Sequence, residues 1–380
     1  MDWVESNRMM GPRREKPTVL ILGMGDTGVL VASRLSRDFT VIGVSTKSNL
    51  LSGQELGKRL TDLTWWQANY NTPLTQFKAL RGVTLVHGKA DCVDMAENAV
   101  TVERIDGEIE SIRYDYLVVA SGTSNGFWRT DRVQSAREIA DDLLLEAQRI
   151  RSASSIVVVG GGPSGVSVAL NIKCTDSKKR VTLCISTDLP LPGYHPDART
   201  FYQSALSEAG VEIICEDRVT EVDESQSSGT LTLASGATVS GDAIIWAIGR
   251  RKAHTDFLPD HLLDAERFVK TLPTLEVEGT ANVFAIGDVA STDPSRSSAR
   301  NWAYNILVHN LKRKAKGKTA NKRYQPPARR WGSIVGPQEN GLTLHQVNGK
   351  QTRLSKRLVD KLLLPVIVRR IIYRGVHNTQ

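Results

Sequence analysis

Six glycines at two repeated spacings are the residues in this chain best placed to do chemistry. Gly23, Gly25 and Gly28 lie in Gly23-Met-Gly-Asp26-Thr27-Gly28, and Gly160, Gly162 and Gly165 lie in Gly160-Gly-Gly-Pro163-Ser164-Gly165. The G-x-G-x-x-G spacing suits a pyrophosphate. Its first glycine makes a sharp turn after a strand, its second lets backbone approach the phosphates, and its third lets the next helix pack closely. The free N–H groups and dipole of that helix then hold the anion. One such motif alone is weak evidence, but both copies have the strand and helix they need. Thr18-Val-Leu-Ile-Leu22 precedes the first and Ile156-Val-Val-Val159 the second, apolar runs suited to strands buried on both faces. Val29, Val31, Ala32 and Leu35 give the first helix an apolar side, and Pro163 suits the first turn of the second. Two such sites imply two dinucleotides.

A third candidate is Gly287-Asp288, which ends the apolar run Val283-Phe-Ala-Ile286. The glycine permits close backbone approach, and the carboxylate can accept hydrogen bonds from a polyhydroxyl chain. Two more apolar strands close on small residues, at Ala120-Ser121-Gly122 and at Ala247-Ile-Gly249-Arg250. A dinucleotide unit usually carries an acid for the ribose at the end of its second strand. Here those positions read Ser45-Thr46-Lys47 and Ile185-Ser186-Thr187, with Asp188 slightly later. The first adenosine is therefore expected to meet Lys47, neutral side chains or backbone. At the second site neither a 2′-hydroxyl nor a 2′-phosphate is excluded.

The elements around these motifs repeat as well. Val83–Lys89, Ala99–Glu103 and Glu108–Tyr114 predict short strands with turns between them, and Thr230–Leu233 with Ala237–Val239 predict another meander. Each half reads as βαβ, meander, closing strand. The expected fold class is α/β: two Rossmann-like dinucleotide-binding domains with β-meanders, plus a small C-terminal α+β region. Residues 17–125 and 251–312 would form one discontinuous domain, 126–250 the second, and 313–380 a basic region with a hairpin and an amphipathic helix. Residues 1–16 read as a leader. Gly53 to Gln76, with Trp65, Trp66 and Tyr70, reads as irregular and more core than lid. His195, between Pro190 and Pro196, reads as a solvated loop histidine that could also neighbour the nucleotide.

Length and composition bound the rest. With 380 residues and 40% hydrophobic content, the chain is expected to be globular, with two or three domains. Cys92, Cys174, Cys184 and Cys215 lie far apart, so neither a redox dithiol nor a zinc site is indicated. The N-terminal residues lack an apolar secretion segment and a Met-Gly start. An intracellular, unsecreted protein is the expectation.

Taken in order, the five motifs resemble the pyridine-nucleotide-disulfide oxidoreductase superfamily over about residues 17 to 310. The nearest branch is that of apoptosis-inducing-factor-like proteins, including ferroptosis suppressor protein, together with type II NADH dehydrogenases. The resemblance implies FAD on Gly23, Gly25, Asp26, Thr27, Gly28, Lys47, Ser121, Gly122, Gly287 and Asp288. It implies NADH or NADPH, the electron donor, on Gly160, Gly162, Pro163, Ser164, Gly165, Ser186 and Gly249. Hydride transfer needs two rings held in register rather than a nucleophile, so no catalytic side chain is assigned. Many members carry a glutamate two residues after the last glycine of the second motif, where this chain has Ser167. The predicted helix Ser297–Val308, whose N-terminus would face the flavin, lacks the Ala-x-x-x-Gln quinone signature of type II dehydrogenases.

The formal net charge of +8 is uneven: from Lys312 onward there are seventeen Lys or Arg against Glu339 and Asp360. Such a tail is expected to meet an anionic surface. One reading is an NAD(P)H:quinone oxidoreductase bound peripherally to a cytoplasmic or organelle membrane face. The other is a flavin- and nucleotide-sensing interaction protein whose tail binds nucleic acid. Residues 353–374 mix basic and apolar side chains, which favours lipid over nucleic acid. The apolar stretch Leu362–Val368 is too short to span a bilayer. A helix with Val359, Leu362, Leu363, Val366 and Ile367 on one side is expected to lie in the interface, dispensable to the flavin. The alternative is a terminal helix docked on the protein's own core.

Overall fold

The computed structural model describes residues 15–124, 130–249, 252–297, 299 and 301–377. The expected boundaries at 125/126 and 250/251, Arg250 and nearly all of the leader lie outside the described residues. The first unit begins with β1 (Thr18–Leu22), α1 (Asp26–Leu35) and β2 (Thr40–Ser45). Val19, Leu20 and Ile21 are fully buried, as a strand covered on both faces requires.

The stretch expected to be irregular is helical instead. It forms α2 (Leu56–Thr61) and α3 (Leu63–Tyr70), and the Asp62 carboxylate caps α3 by accepting from the Trp65 N–H. Trp66 and Tyr70 are buried, and the Trp66 indole donates to the Gln54 carbonyl at 2.9 Å. Their apolar bulk braces α2 from behind, the core role expected of them.

Next come β3 (Val83–Asp94), β4 (Ala99–Arg104), β5 (Ile109–Arg113) and β6 (Tyr116–Val119). Val83 to His87 pair parallel with β2, and Gly88 to Asp94 pair antiparallel with β4, so one strand serves both sheet and meander. The second unit follows with α4 (Ala136–Ser152), β7 (Ser155–Val159), α5 (Pro163–Thr175), β8 (Arg180–Cys184), α6 (Pro196–Glu208) and β9 (Glu212–Ile214). A hairpin, β10 (Gly229–Thr232) and β11 (Thr238–Gly241), leads to β12 (Ala243–Trp246). The chain then returns to the first sheet as β13 (Val283–Ala285), running parallel to β6.

The two sheets are ordered β13-β6-β1-β2-β3-β4-β5 and β9-β8-β7-β12. In each, the strand before a glycine motif lies between the strand after its helix and the closing strand. Helix α5 is buried from Gly165 through Ile172 because its own sheet covers one side and α2 the other. That double burial explains its lack of a polar face.

The helix predicted from Ser297 starts later, as α7 (Ala303–Lys314), and Ser298 and Arg300 lie outside the described residues. The Asp293 carboxylate accepts from the N–H groups of Ser295 and Ser297 and from the Tyr324 hydroxyl, fixing this stretch as a loop. The last region has a hairpin, β14 (Leu342–His345) and β15 (Gln351–Leu354), then a π-helical segment Val359–Ile372.

This tail docks on the body, the alternative arrangement named for it from the sequence. Val359 and Leu364 are buried with Trp66, Tyr70, Ile139 and Leu143, and Tyr373 joins the core around α1 and α7. The faces differ from those expected because a π-helix spaces its rows wider than an α-helix. Leu358, Leu362, Ile367 and Ile371, four or five residues apart, are exposed. Among the described residues, no helix is long and apolar enough to cross a membrane.

Candidate functional site

Both glycine turns have the same steric form. At Gly23, with φ +102°, a Cβ would stand 2.3 Å from the Ala120 carbonyl oxygen; at Gly160, with φ +118°, it would stand 2.3 Å from that of Ala247. At Gly28 and Gly165 it would stand 1.9 Å from the carbonyl oxygen of the motif's own first glycine. Nothing lies within 4 Å of the same position at Gly25 or Gly162. Two glycines of each motif are therefore demanded by packing, and the middle one leaves an open cradle at a helix N-terminus. A pyrophosphate fits that cradle.

One cavity of about 810 Å³ is lined by Gly23, Gly25, Asp26 and Thr27 from the first turn and by Pro163 and Ser164, the start of the helix behind the second. Lys47, Ser121, Gly122, Gly287 and Asp288 line it too. Gly28, Gly160, Gly162 and Gly165 shape the turns rather than the cavity wall. Ser186 and Gly249 are exposed at strand ends and are not brought to it.

Several predicted residues are already engaged by the protein. The Ser121 hydroxyl donates to the His254 carbonyl at 2.6 Å, and the Gly122 carbonyl accepts from the His254 N–H at 3.0 Å. The Asp26 carboxylate accepts from the Tyr373 hydroxyl at 2.6 Å and from that of Ser52 at 3.2 Å, so it is turned toward the C-terminal tail. The Lys47 ammonium donates to the Gln134 side chain and the Arg132 carbonyl. Burial, with the Arg132 charge nearby, pushes Lys47 down to about 8. His195 lies elsewhere: its Nδ1 accepts from the Asp197 N–H and caps α6.

Sequence reading missed Glu55, Arg59 and Trp331, which also line the cavity. Glu55 carried one local signal, its place just before a short helix. Trp331 comes from the distant C-terminal region, with its indole donating to Asn301 at 2.8 Å. Among the described residues, no group of His, Cys, Asp or Glu could hold a metal ion.

Residues 17–305 match the family described as pyridine nucleotide-disulphide oxidoreductase. The chain belongs to that family. Among its relatives, apoptosis-inducing factor homolog B of Dictyostelium discoideum is 26% identical over 320 residues, 78% of this chain and 79% of that one. Fe-regulated protein 8 of Mycosarcoma maydis is 30% identical over 219 residues, and the match spans 54% of this chain and only 55% of that protein. Ferroptosis suppressor protein 1 of Xenopus tropicalis is 26% identical, with 64% of this chain and 67% of that protein covered. In fold, this pyridine nucleotide-disulphide oxidoreductase is similar to an engineered water-forming NADPH oxidase solved with NADPH. The TM-score is 0.66 at 17% identity, covering 86% of this chain and 74% of that one.

Proposed function

We propose that this protein is an FAD-dependent NAD(P)H oxidoreductase that passes electrons from NADH or NADPH to a quinone-type acceptor at a membrane surface. The observation that carries the reading is the pair of sterically open turns, at Gly25 and Gly162, with Gly25 on one side and Pro163 and Ser164, which follow Gly162, on the other lining one cavity. Two dinucleotides held there bring their ring ends together. The flavin would supply the hydride acceptor and the electron store. The protein's own part is to bind, orient and enclose: Gly287-Asp288 offers a carboxylate beside the first cradle, and Arg59 and Trp331 help wall the space between the two.

The acceptor and the surface rest on other observations. The relatives include proteins named ferroptosis suppressor protein 1, and the described cysteines are all free, with no Cys-x-x-Cys pair in the sequence to take electrons. Exposed Leu358, Leu362, Ile367 and Ile371, with exposed Arg357, Lys361 and Arg370 on the same segment, form a face suited to anionic lipid, consistent with a peripheral protein on an intracellular membrane.

The test is to purify the full chain, identify its flavin, and follow NADH and NADPH oxidation with soluble quinones, ferricyanide and oxygen. Bound FAD and quinone reduction well above the oxygen rate are expected. A protein that takes up no FAD, or that reduces no quinone faster than oxygen, would overturn the proposal.

A further inference from the structure

His345 on β14 is 1% exposed, and neither of its ring nitrogens has a hydrogen-bond partner. Its imidazole lies against Phe201 and Tyr202 of α6, with ring centroids 5.3 and 5.2 Å away. Its backbone pairs with Gly332, donating to that carbonyl at 3.0 Å and accepting from that N–H at 2.8 Å. One imidazole therefore sits where the C-terminal hairpin, the second unit and the stretch carrying Trp331 meet. The hairpin's turn touches α6 as well: a Cβ at Gly349 would stand 2.5 Å from His195 Nδ1 and 2.9 Å from Asp197 Oδ2. A leucine in place of His345 would hold such a contact at any pH. A histidine makes it conditional.

The ionisable groups of the elements in contact with this ring give a proton on it nothing in return. On α6, Asp197 and Glu208 are exposed, and Arg199 is paired with Asp188 at 2.7 Å. The Tyr202 phenol is buried without a partner and is kept protonated by burial and then by the Glu55 charge. His195, at the helix cap, lies 3.5 Å from the Asp197 carboxylate. On the hairpin, Lys350 and Arg353 are exposed cations; before Gly332, Arg329 is exposed and Arg330 lines the main cavity. Among the described residues no carboxylate is within hydrogen-bond reach of either His345 nitrogen, and burial pushes its pKa below the ordinary 6.5.

We propose that His345 is an acid-sensitive latch: protonating it frees the C-terminal hairpin from α6 and loosens the Gly332 stretch that sets Trp331 in the cavity wall. A proton taken in place would leave a cation buried with no acceptor, a state that costs far more than a neutral ring. The two aromatic faces, tilted 55° and 53° from the imidazole, recover only part of the hydration lost. Release lets water solvate the charge. Because the released ring takes the proton more readily than the docked one, docking is complete above pH 6.5 and is lost as pH falls below it. Each pH unit below that value raises the released fraction about tenfold, until the docked ring itself is protonated.

The experiment is hydrogen exchange on the full chain at pH 7.5 and 5.5, corrected for intrinsic rates and read by mass spectrometry. Residues 342–354 and the Gly332 amide should lose about tenfold in protection at pH 5.5, while β1 and β7 keep theirs. His345→Leu and His345→Phe, which cannot take the proton, should show the same protection at both pH values. Equal protection of the wild-type hairpin at the two pH values would overturn the latch without recourse to any variant. So would the same acid loss in a folded variant, which would assign the titration to another group, or a loss shared equally by β1 and β7, which would be acid unfolding of the whole chain.

Discussion

The Tyr373 hydroxyl donates a 2.6 Å hydrogen bond to Oδ1 of Asp26, the first residue of the helix behind the first glycine turn. Burial and the Asp26 charge both keep this phenol protonated, so it remains a donor. The tail beyond the hairpin is therefore fastened to the nucleotide cradle itself. Tyr373→Phe should lower stability by about 1.5–3 kcal/mol, the usual worth of a hydrogen bond to a charged group. Truncation after Gln351 should go further, uncovering Trp66 and Tyr70 and reducing bound flavin. Thermal midpoints and the flavin-to-protein absorbance ratio measure both; a truncated chain with full flavin content and an unchanged midpoint would disprove the fastening.

The steric difference within each glycine motif separates folding from binding. Gly25→Val places its side chain in open cavity, so the protein should fold with a near-normal midpoint yet purify without flavin. Gly28→Val drives a side chain into the Gly23 carbonyl and should destabilise by about 1–3 kcal/mol or more. Gly162→Val should keep its flavin and lose reduction by NADH and NADPH. A full flavin spectrum in purified Gly25→Val protein would refute the first cradle.

Lys47 gives a pH dependence with opposite signs for ligand and fold. Its folded-state value of about 8 is below the ordinary 10.5, so above pH 8 the folded protein sheds this proton while the unfolded chain keeps it. That group's contribution to the stability of flavin-free protein therefore rises between pH 8 and 10.5. Affinity for the anionic cofactor should fall over the same start of the range, as the ammonium neutralises. Flavin dissociation constants at pH 7 and 9, beside those of Lys47→Met, check this. Equal pH profiles for the two proteins would assign the effect elsewhere.

At the second cradle, Asp188 Oδ1 accepts from Arg199 Nη2 at 2.7 Å just past the strand end. The acid is occupied and the arginine masked, so both nucleotides should reduce the flavin with a preference below about a hundredfold. Asp188→Ala would unmask Arg199 and should move the preference toward NADPH by about tenfold, near 1.4 kcal/mol for one charge-assisted contact. Stopped-flow reduction by each nucleotide tests it. Strict selectivity in the wild type, or no movement in the variant, would show that another residue reads the 2′ position.

The amino-acid sequence by itself determined the two glycine turns, their flanking strands and helices and the repeated α/β order. Those features depend on neighbours a few residues apart, where spacing and side-chain type dictate geometry directly. Gly23 and Gly28 meet carbonyls of their own turn or of an adjacent strand, so their identity could be read from the motif. What only the tertiary structure decided came from distant partners. Nothing local shows that Tyr373 reaches Asp26, or that the apolar tail residues split between the Trp66 cluster and the exposed row at Leu358, Leu362, Ile367 and Ile371. An α-helical period assigned those faces, and the wider π-helical spacing reassigned them. Glu55 showed no more than its place before a short helix: its left-handed backbone and its place in the cavity arise because this stretch is pressed between α5, the aromatic cluster and Gly336, contacts that exist only once the chain has closed on itself.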